Sequence, residues 1–365
     1  MPLVLGETAS TPPPELIDVS SGRRFNVDAL ARHLAARGFD CGPLSVQQFA
    51  GAKSNPTFLV SYGRGAGASK FVLRKSAADA PIAAYALDRE YRVMQALADT
   101  PAVPVPAMHA FCADESVLGA PFYIMDYVAG RTLSDSKLDG LSCDERGAVY
   151  RGMIDTLAAL HNVDADTVGL SEFGRPRGYL ARQVTAWRRQ YEHTAGDPDP
   201  AMMALAQWLE QNLPADAAPV ITHGDYRVGN LMLSEGGTDL AAVLDWEMAT
   251  LGHPMADLAY ACLPYYLPED IDVLPGIAGL NLVEWGIPDE SELLKRYRAA
   301  RGLAPIDEWP AFIAFALFGI AAFAQAVQAR SPGGRHGDEA RRVACQVSEL
   351  AELGWQMARY HDTAC

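Results

Sequence analysis

The sequence predicts an α+β protein in two lobes, a small one built on a sheet and a larger one built mostly of helices. Three observations carry that prediction. The 365 residues exceed the size at which one hydrophobic core usually stops growing. Short β-type runs dominate up to Gly130, and helical periodicity dominates beyond it. The change of texture falls just after a strongly apolar run, where a linker between lobes is expected. The expected division is a first lobe over residues 1–125, a connector over 126–131 and a second lobe over 132–365.

Taken in order, Asn26 is a plausible N-cap for an amphipathic helix carrying Leu30 and Leu34, with Gly38 ending it. Residues 58–62 and 70–74 read as two strands, and the glycine-rich stretch 63–67 between them is a hairpin signal. A helix is expected over 82–97, with Asp88, Arg89, Glu90 and Arg92 set among apolar residues at helical spacing. After Val103-Pro-Val-Pro106, residues 121–128 form an apolar strand closing on Gly130. Beyond it, helices are expected over 145–160 and 179–193, and the strand signals lie between Val220 and Trp246. The uncharged run 309–329 is long enough to span a bilayer. It begins with Trp-Pro, is rich in alanine and carries Gln325 and Gln328, so a buried core helix is expected.

The formal net charge of −15 disfavours nucleic acid or an anionic membrane surface as a partner. The 6 cysteines are scattered, with no CxxC pair to suggest zinc and no disulfide framework. Residues 3–5 are apolar but broken by Gly6 and Glu7, so no secretory signal is expected and a cytoplasmic setting fits.

The chemistry concentrates in Ile-Thr-His-Gly-Asp-Tyr-Arg-Val-Gly-Asn-Leu-Met-Leu, residues 221–233, followed by Ala-Ala-Val-Leu-Asp-Trp-Glu at 241–247. Ser-Glu-Gly-Gly-Thr-Asp between them is a turn, and the midpoint of Asn230 and Asp245 falls within it, between Gly237 and Thr238. A hairpin of that register sets the two residues side by side. An amide and a carboxylate at neighbouring strand ends suit Mg²⁺, a hard cation that keeps water and phosphate oxygens as its other ligands. Asp225 sits in a loop loosened by Gly224 and Gly229, where a carboxylate can receive the proton of an incoming hydroxyl. Taken singly, His-Gly-Asp or Asp-Trp is also ordinary polar punctuation in loops; the combination with the hairpin is what points to chemistry.

This spacing resembles the protein-kinase catalytic loop and its second metal-binding Asp. The form His-Gly-Asp with Asp-Trp-Glu is similar to the aminoglycoside phosphotransferase and choline kinase branch of that superfamily. The resemblance implies a protein-kinase-like fold, ATP and Mg²⁺ as cofactors, and a small-molecule hydroxyl as acceptor. It makes Asp225 the catalytic Asp, gives Mg²⁺ to Asn230 and Asp245, and has His223 and Asp257 brace the loop. Kinase logic also asks for a strand cation on the phosphates, held by a helix carboxylate. Arg74 and Glu90 stand in that order, and a guanidinium can fork to both partners, whereas Lys75 points to the other strand face. No GxGxxG is present; Ser54 and Asn55 would donate to the phosphates instead. The backbone of Asp126, Tyr127 and Val128 would meet adenine.

Ser-Asn-Pro-Thr at 54–57, Asp-Arg-Glu-Tyr-Arg-Val at 88–93 and residues 173–187 look like the kinase domains fused to, or encoded beside, acyl-CoA dehydrogenases. That subgroup implies a hydroxyacyl-CoA acceptor; Arg182, Arg188 and Arg189 are available for a CoA thioester, and Tyr265, Tyr266 and Trp285 for lining an acceptor pocket. The same residues also read as a solvated helix face and ordinary packing. An aminoglycoside acceptor, a metal-dependent phosphoesterase and a nucleotide-binding pseudokinase stay open, as does GTP in place of ATP.

Overall fold

The computed structural model describes residues 15–39, 42–50, 55–63, 69–77, 81–133, 135–330 and 338–364. Contacts divide the chain into two compact units. The first comprises Met1–Leu133, Val168–Leu170 and Asn230–Ala249; the second comprises Ser134–Thr167, Ser171–Gly229 and Thr250–Cys365. In chain order the elements begin with β1 (Leu16–Ile17), α1 (Val27–Ala35), β2 (Leu44–Phe49), β3 (Thr57–Tyr62), β4 (Ser69–Lys75), α2 (Pro81–Leu97), β5 (Met108–Cys112), α3 (Glu115–Leu118), β6 (Phe122–Asp126) and β7 (Arg131–Thr132). They continue with α4 (Cys143–Asn162), α5 (Tyr179–Thr194), α6 (Pro200–Asn212), β8 (Val220–Thr222), β9 (Leu231–Leu233), β10 (Leu240–Val243), β11 (Thr250–Gly252), α7 (Pro254–Cys262), α8 (Leu282–Trp285), α9 (Glu290–Arg301), α10 (Trp309–Arg330) and α11 (Asp338–Ala364).

The first unit is a six-stranded sheet of order β1-β2-β3-β4-β6-β5, with every pairing antiparallel. The side chain of Asn26 caps α1 by accepting from Ala29 N at 3.0 Å, and Gly38 takes φ 84° beyond its end, a conformation glycine adopts without strain. Leu30 and Leu34 of α1 pack with Phe58, Leu73 and Phe122 from the sheet. Strand β2 shows no clean alternation in sequence because Gln48 holds an inward position; it is 4% exposed and satisfied by the Ser20 hydroxyl at 3.1 Å. Residues 64–68, with most of the expected β3–β4 turn, lie outside the described residues.

The same unit holds a second sheet of order β10-β9-β7. The second unit is helical around one small pair, β8 with β11, in which Thr222 faces Thr250. Strands β7 and β11 fall outside the window where strands were expected after Gly130, because two or three residues cannot display a period. Helix α4 starts two residues earlier than its pattern implies, at a capping box in which Ser142 and Glu145 satisfy each other's backbone N–H groups. Helix α10 is the uncharged run, and 78% of its apolar window is buried inside the fold. It packs on α11, α5, α6 and α7, as expected for a core helix. Gly319 of α10 sits against the indole of Trp187 on α5, where an added Cβ would lie 2.7–3.0 Å from the ring.

Candidate functional site

The predicted site residues divide between the units: Arg74, Glu90, Asn230 and Asp245 belong to the first, His223, Asp225 and Asp257 to the second.

In the first unit, cross-strand pairing sets Arg74 of β4 opposite Tyr123 of β6. Its guanidinium donates to Asp245 Oδ1 at 2.9 Å, with Glu90 Oε2 3.3 Å from Nε and Glu247 Oε2 3.6 Å from Nη2. Glu90, on α2, is 1% exposed. Burial pushes its pKa up to about 7 against the pull of Arg74. Burial works against the Arg74 charge as well, but Glu90 and Asp245 outweigh it and hold the guanidinium above its ordinary range. Three carboxylates thus face one cation. The partly exposed pair Asp245 and Glu247 leaves negative charge at the cluster's edge, which fits a further cation. The expected meeting of Arg74 with Glu90 is present; Asp245 and Glu247 as additional partners are not visible in spacing.

Asn230 is 6% exposed and immediately precedes β9. The hairpin register differs from the expected one by a residue. Leu231 faces Val243, and Leu244 N donates to Asn230 O at 2.8 Å, so Leu244 rather than Asp245 lies opposite Asn230. A bulge between Leu240 and Ala242 shifts the ladder. Asp245 then turns back at φ 65°, ψ 57°, the left-handed region that aspartate tolerates better than most residues.

The other first-unit candidates are placed as follows. Asn55 is buried at 4% exposure, and its carbonyl accepts from the Thr57 hydroxyl at 3.2 Å; Ser54 lies outside the described residues. Asp126 ends β6 with its carboxylate 2.6 Å from His109 Nε2. Tyr127 lies under Lys70, 5.2 Å from Nζ to ring centre, and Val128 follows, half-buried.

In the second unit, β8 runs into a loop gripped from α7. Asp257 accepts from His223 N at 2.6 Å and from Gly224 N at 2.9 Å. Gly224 adopts φ 85°, a turn suited to glycine. His223 is fully buried, and its Nδ1 accepts from Asp225 N at 3.2 Å. Tyr226 is pinned by its hydroxyl to Met153 O at 2.8 Å. Two partners of Asp225 escaped sequence reasoning. Arg227 Nε lies 3.2 Å from Asp225 Oδ1, and an added Cβ on Gly229 would come within 2.7 Å of the Arg227 guanidinium. The Tyr260 hydroxyl, its pKa driven well up by burial and by Asp225, hydrogen-bonds the same carboxylate.

The expected acceptor residues are occupied in packing. Arg188 pairs with Glu192 and Glu210, each at 2.9 Å, and Arg182 donates to Arg175 O, while Arg189 stays exposed. Tyr265 donates to Pro288 O at 2.6 Å and Tyr266 to Glu290 Oε2 at 2.7 Å. Trp285 lies under Arg146 at 4.8 Å. Among the described residues, no group of three or more His, Cys, Asp or Glu side chains is placed to hold a metal ion.

A half-buried strand cation held by a helix carboxylate, with an Asp-bearing loop braced from the next helix, defines the class as kinase-like, with an antiparallel-sheet lobe and a larger helical lobe. Residues 45–312 match the sequence profile of the phosphotransferase enzyme family, and the chain belongs to that family. A crystal structure of a Ralstonia eutropha protein assigned as an aminoglycoside phosphotransferase shares 39% identity at a TM-score of 0.83, covering 92% of this chain and 99% of that one. The GDP and kanamycin complex of an aminoglycoside phosphotransferase shares the fold at a TM-score of 0.60 and 15% identity, covering 90% of this chain and 97% of that one. Mouse acyl-CoA dehydrogenase family member 10 is 37% identical over 91% of this chain and 31% of its own length. Chicken acyl-CoA dehydrogenase family member 11 is 38% identical over 95% of this chain and 45% of its own length. The chain therefore spans less than half of these curated relatives.

Proposed function

We propose that the chain transfers the terminal phosphoryl group of ATP, with Mg²⁺, to a hydroxyl of a small molecule. The observation that carries this reading is Arg74 clasped by Glu90 and Asp245: a half-buried cation fixed for phosphate by carboxylates that the sequence orders as a kinase requires. Asp225 accepts the proton of the acceptor hydroxyl while its oxygen bonds the γ-phosphorus; the bond to the bridging oxygen breaks and ADP leaves. His223 and Asp257 hold the backbone that presents Asp225. Arg74 grips the α- and β-phosphates, and Asn55, with Ser54, covers them. Asn230 and Asp245 would hold Mg²⁺, which neutralises charge on the phosphates when bound. The segment 126–131, with Asp126, Tyr127 and Val128 toward adenine, serves as connector between a lobe over 1–125 and one over 132–365, in a cytoplasmic setting.

Hydroxyacyl-CoA is the favoured acceptor, because relatives at 37% and 38% identity carry acyl-CoA dehydrogenase names. An aminoglycoside is the second reading, favoured by the net charge of −15, which attracts a polycation. ADP release from ATP and Mg²⁺, measured with 4-hydroxyacyl-CoA and with kanamycin, tests both. Release stimulated by the thioester alone supports the first reading, and stimulation by kanamycin alone supports the second.

A further inference from the structure

Behind the Asp225 loop lies a chain of polar groups sealed from solvent. His161 on α4 and Tyr297 on α9 are both fully buried, and Asp257 is 2% exposed. The Tyr297 hydroxyl is 2.6 Å from His161 Nδ1, and His161 Nε2 is 3.4 Å from Asp257 Oδ2. That same carboxylate holds the His223 and Gly224 amides. Burial lowers the His161 pKa against the pull of Asp257, so the ring is neutral and carries one proton. An ionised carboxylate only accepts, so the arrangement is satisfied when Nε2 carries the proton and Nδ1 receives one from the tyrosine. In the other tautomer a ring lone pair faces the carboxylate, and the tyrosine hydroxyl must turn from donor to acceptor. Arg301, one turn beyond Tyr297, donates to His161 O and to Asn162 Oδ1, fastening α9 to α4 at this point.

We propose that Tyr297 is a positioning residue for the Asp225 loop: its hydroxyl donates to His161 Nδ1 and holds the ring where Nε2–H meets Asp257, and Asp257 in turn holds the two amides preceding Asp225. The link to the loop stands on this geometry alone; its consequence for turnover rests on the role proposed above for Asp225. Burial makes the tautomer consequential, since a misdirected lone pair beside a buried carboxylate has no water to screen it.

The test needs no acceptor substrate. In ¹⁵N-histidine-labelled protein, the His161 ring, assigned through its contacts with the Tyr297 ring, is expected as the Nε2–H tautomer, and a Nδ1–H ring in the unmutated protein overturns the proposal without any variant. In Tyr297→Phe the carboxylate is expected to keep the ring in the Nε2–H form, but Nδ1 loses its donor and the ring is no longer held in place. Hydrogen exchange of the His223 and Gly224 amides is expected to accelerate on the order of three- to tenfold, while amides of α10 keep their rates. Unchanged exchange at those two amides overturns the proposal. Equal acceleration throughout the second unit does so too, since it reduces Tyr297 to a core residue. Full transferase activity in Asp225→Asn would instead sink the functional reading and leave the exchange result intact.

Discussion

Arg74 and Glu90 are each unfavourable to bury as lone charges, and each makes the other tolerable. Glu90 is the weaker member, with its pKa raised from 4.5 to about 7. A carboxyl whose folded pKa is raised adds stability below its unfolded pKa, and that contribution is lost as pH rises through about 7. The parent is therefore expected to lose stability between pH 4 and pH 8 that Glu90→Gln keeps. Thermal melts at the two pH values check this. The same substitution is expected to lower kcat/KM, and the parent's activity is expected to rise with pH through about 7 as Glu90 ionises to hold Arg74. Asp245→Asn keeps a side chain suited to φ 65° while removing the charge. Calorimetry is expected to show ATP binding that no longer gains from Mg²⁺. The Arg74–Glu90 pair was legible because the resemblance to kinases asks for a strand cation and a helix carboxylate in that order, and periodicity placed one residue on a strand and the other on a helix. Arg227 and Tyr260 at Asp225 were not, because no pattern ties a loop cation or a buried hydroxyl to one carboxylate.

At the scale of elements, the parts with strong local signals matched their patterns: α1 with its Asn26 cap, the β3 and β4 strands, α2 and the uncharged α10. The hairpin after Asn230 was read one residue out of register, because it was centred between Gly237 and Thr238, whereas Leu240 faces Leu233 next to the turn and a bulge then moves the ladder by only one residue. Short strands such as β7 and the polar inward position of Gln48 hid β2 for similar reasons: tertiary partners, not period, make them strands. The α5–α10 contact offers a test of packing. Replacing Gly319 by Ala gains about 1 kcal/mol of helix propensity. Forcing a methyl into the Trp187 indole costs roughly 1–3 kcal/mol. The clash wins, and Gly319→Ala is expected to melt a few degrees lower by calorimetry; a higher melting temperature would mean that the indole moves aside freely.

For the molecule as a whole, the net charge of −15 opposes the approach of a polyanion. On the proposed reading, Arg74 and Mg²⁺ carried by ATP offset that field. The association rate of ATP is accordingly expected to rise with ionic strength, as salt screens the repulsion, and stopped-flow mixing across a salt series reads it directly. A rate that falls with salt would mean that local positive potential dominates the approach. The assignment of function draws on both units, since the Arg74 cluster belongs to one and the braced Asp225 loop to the other.

Transfer of radiolabel from [γ-³²P]ATP to 4-hydroxyacyl-CoA, compared between the parent and Asp225→Asn with Mg²⁺ present, reaches the central claim most directly. Labelled thioester from the parent, formed roughly 10²- to 10⁴-fold more slowly by the variant, is the expected result. Equal rates of labelling by the two proteins would contradict the role given to Asp225 and the mechanism built on it.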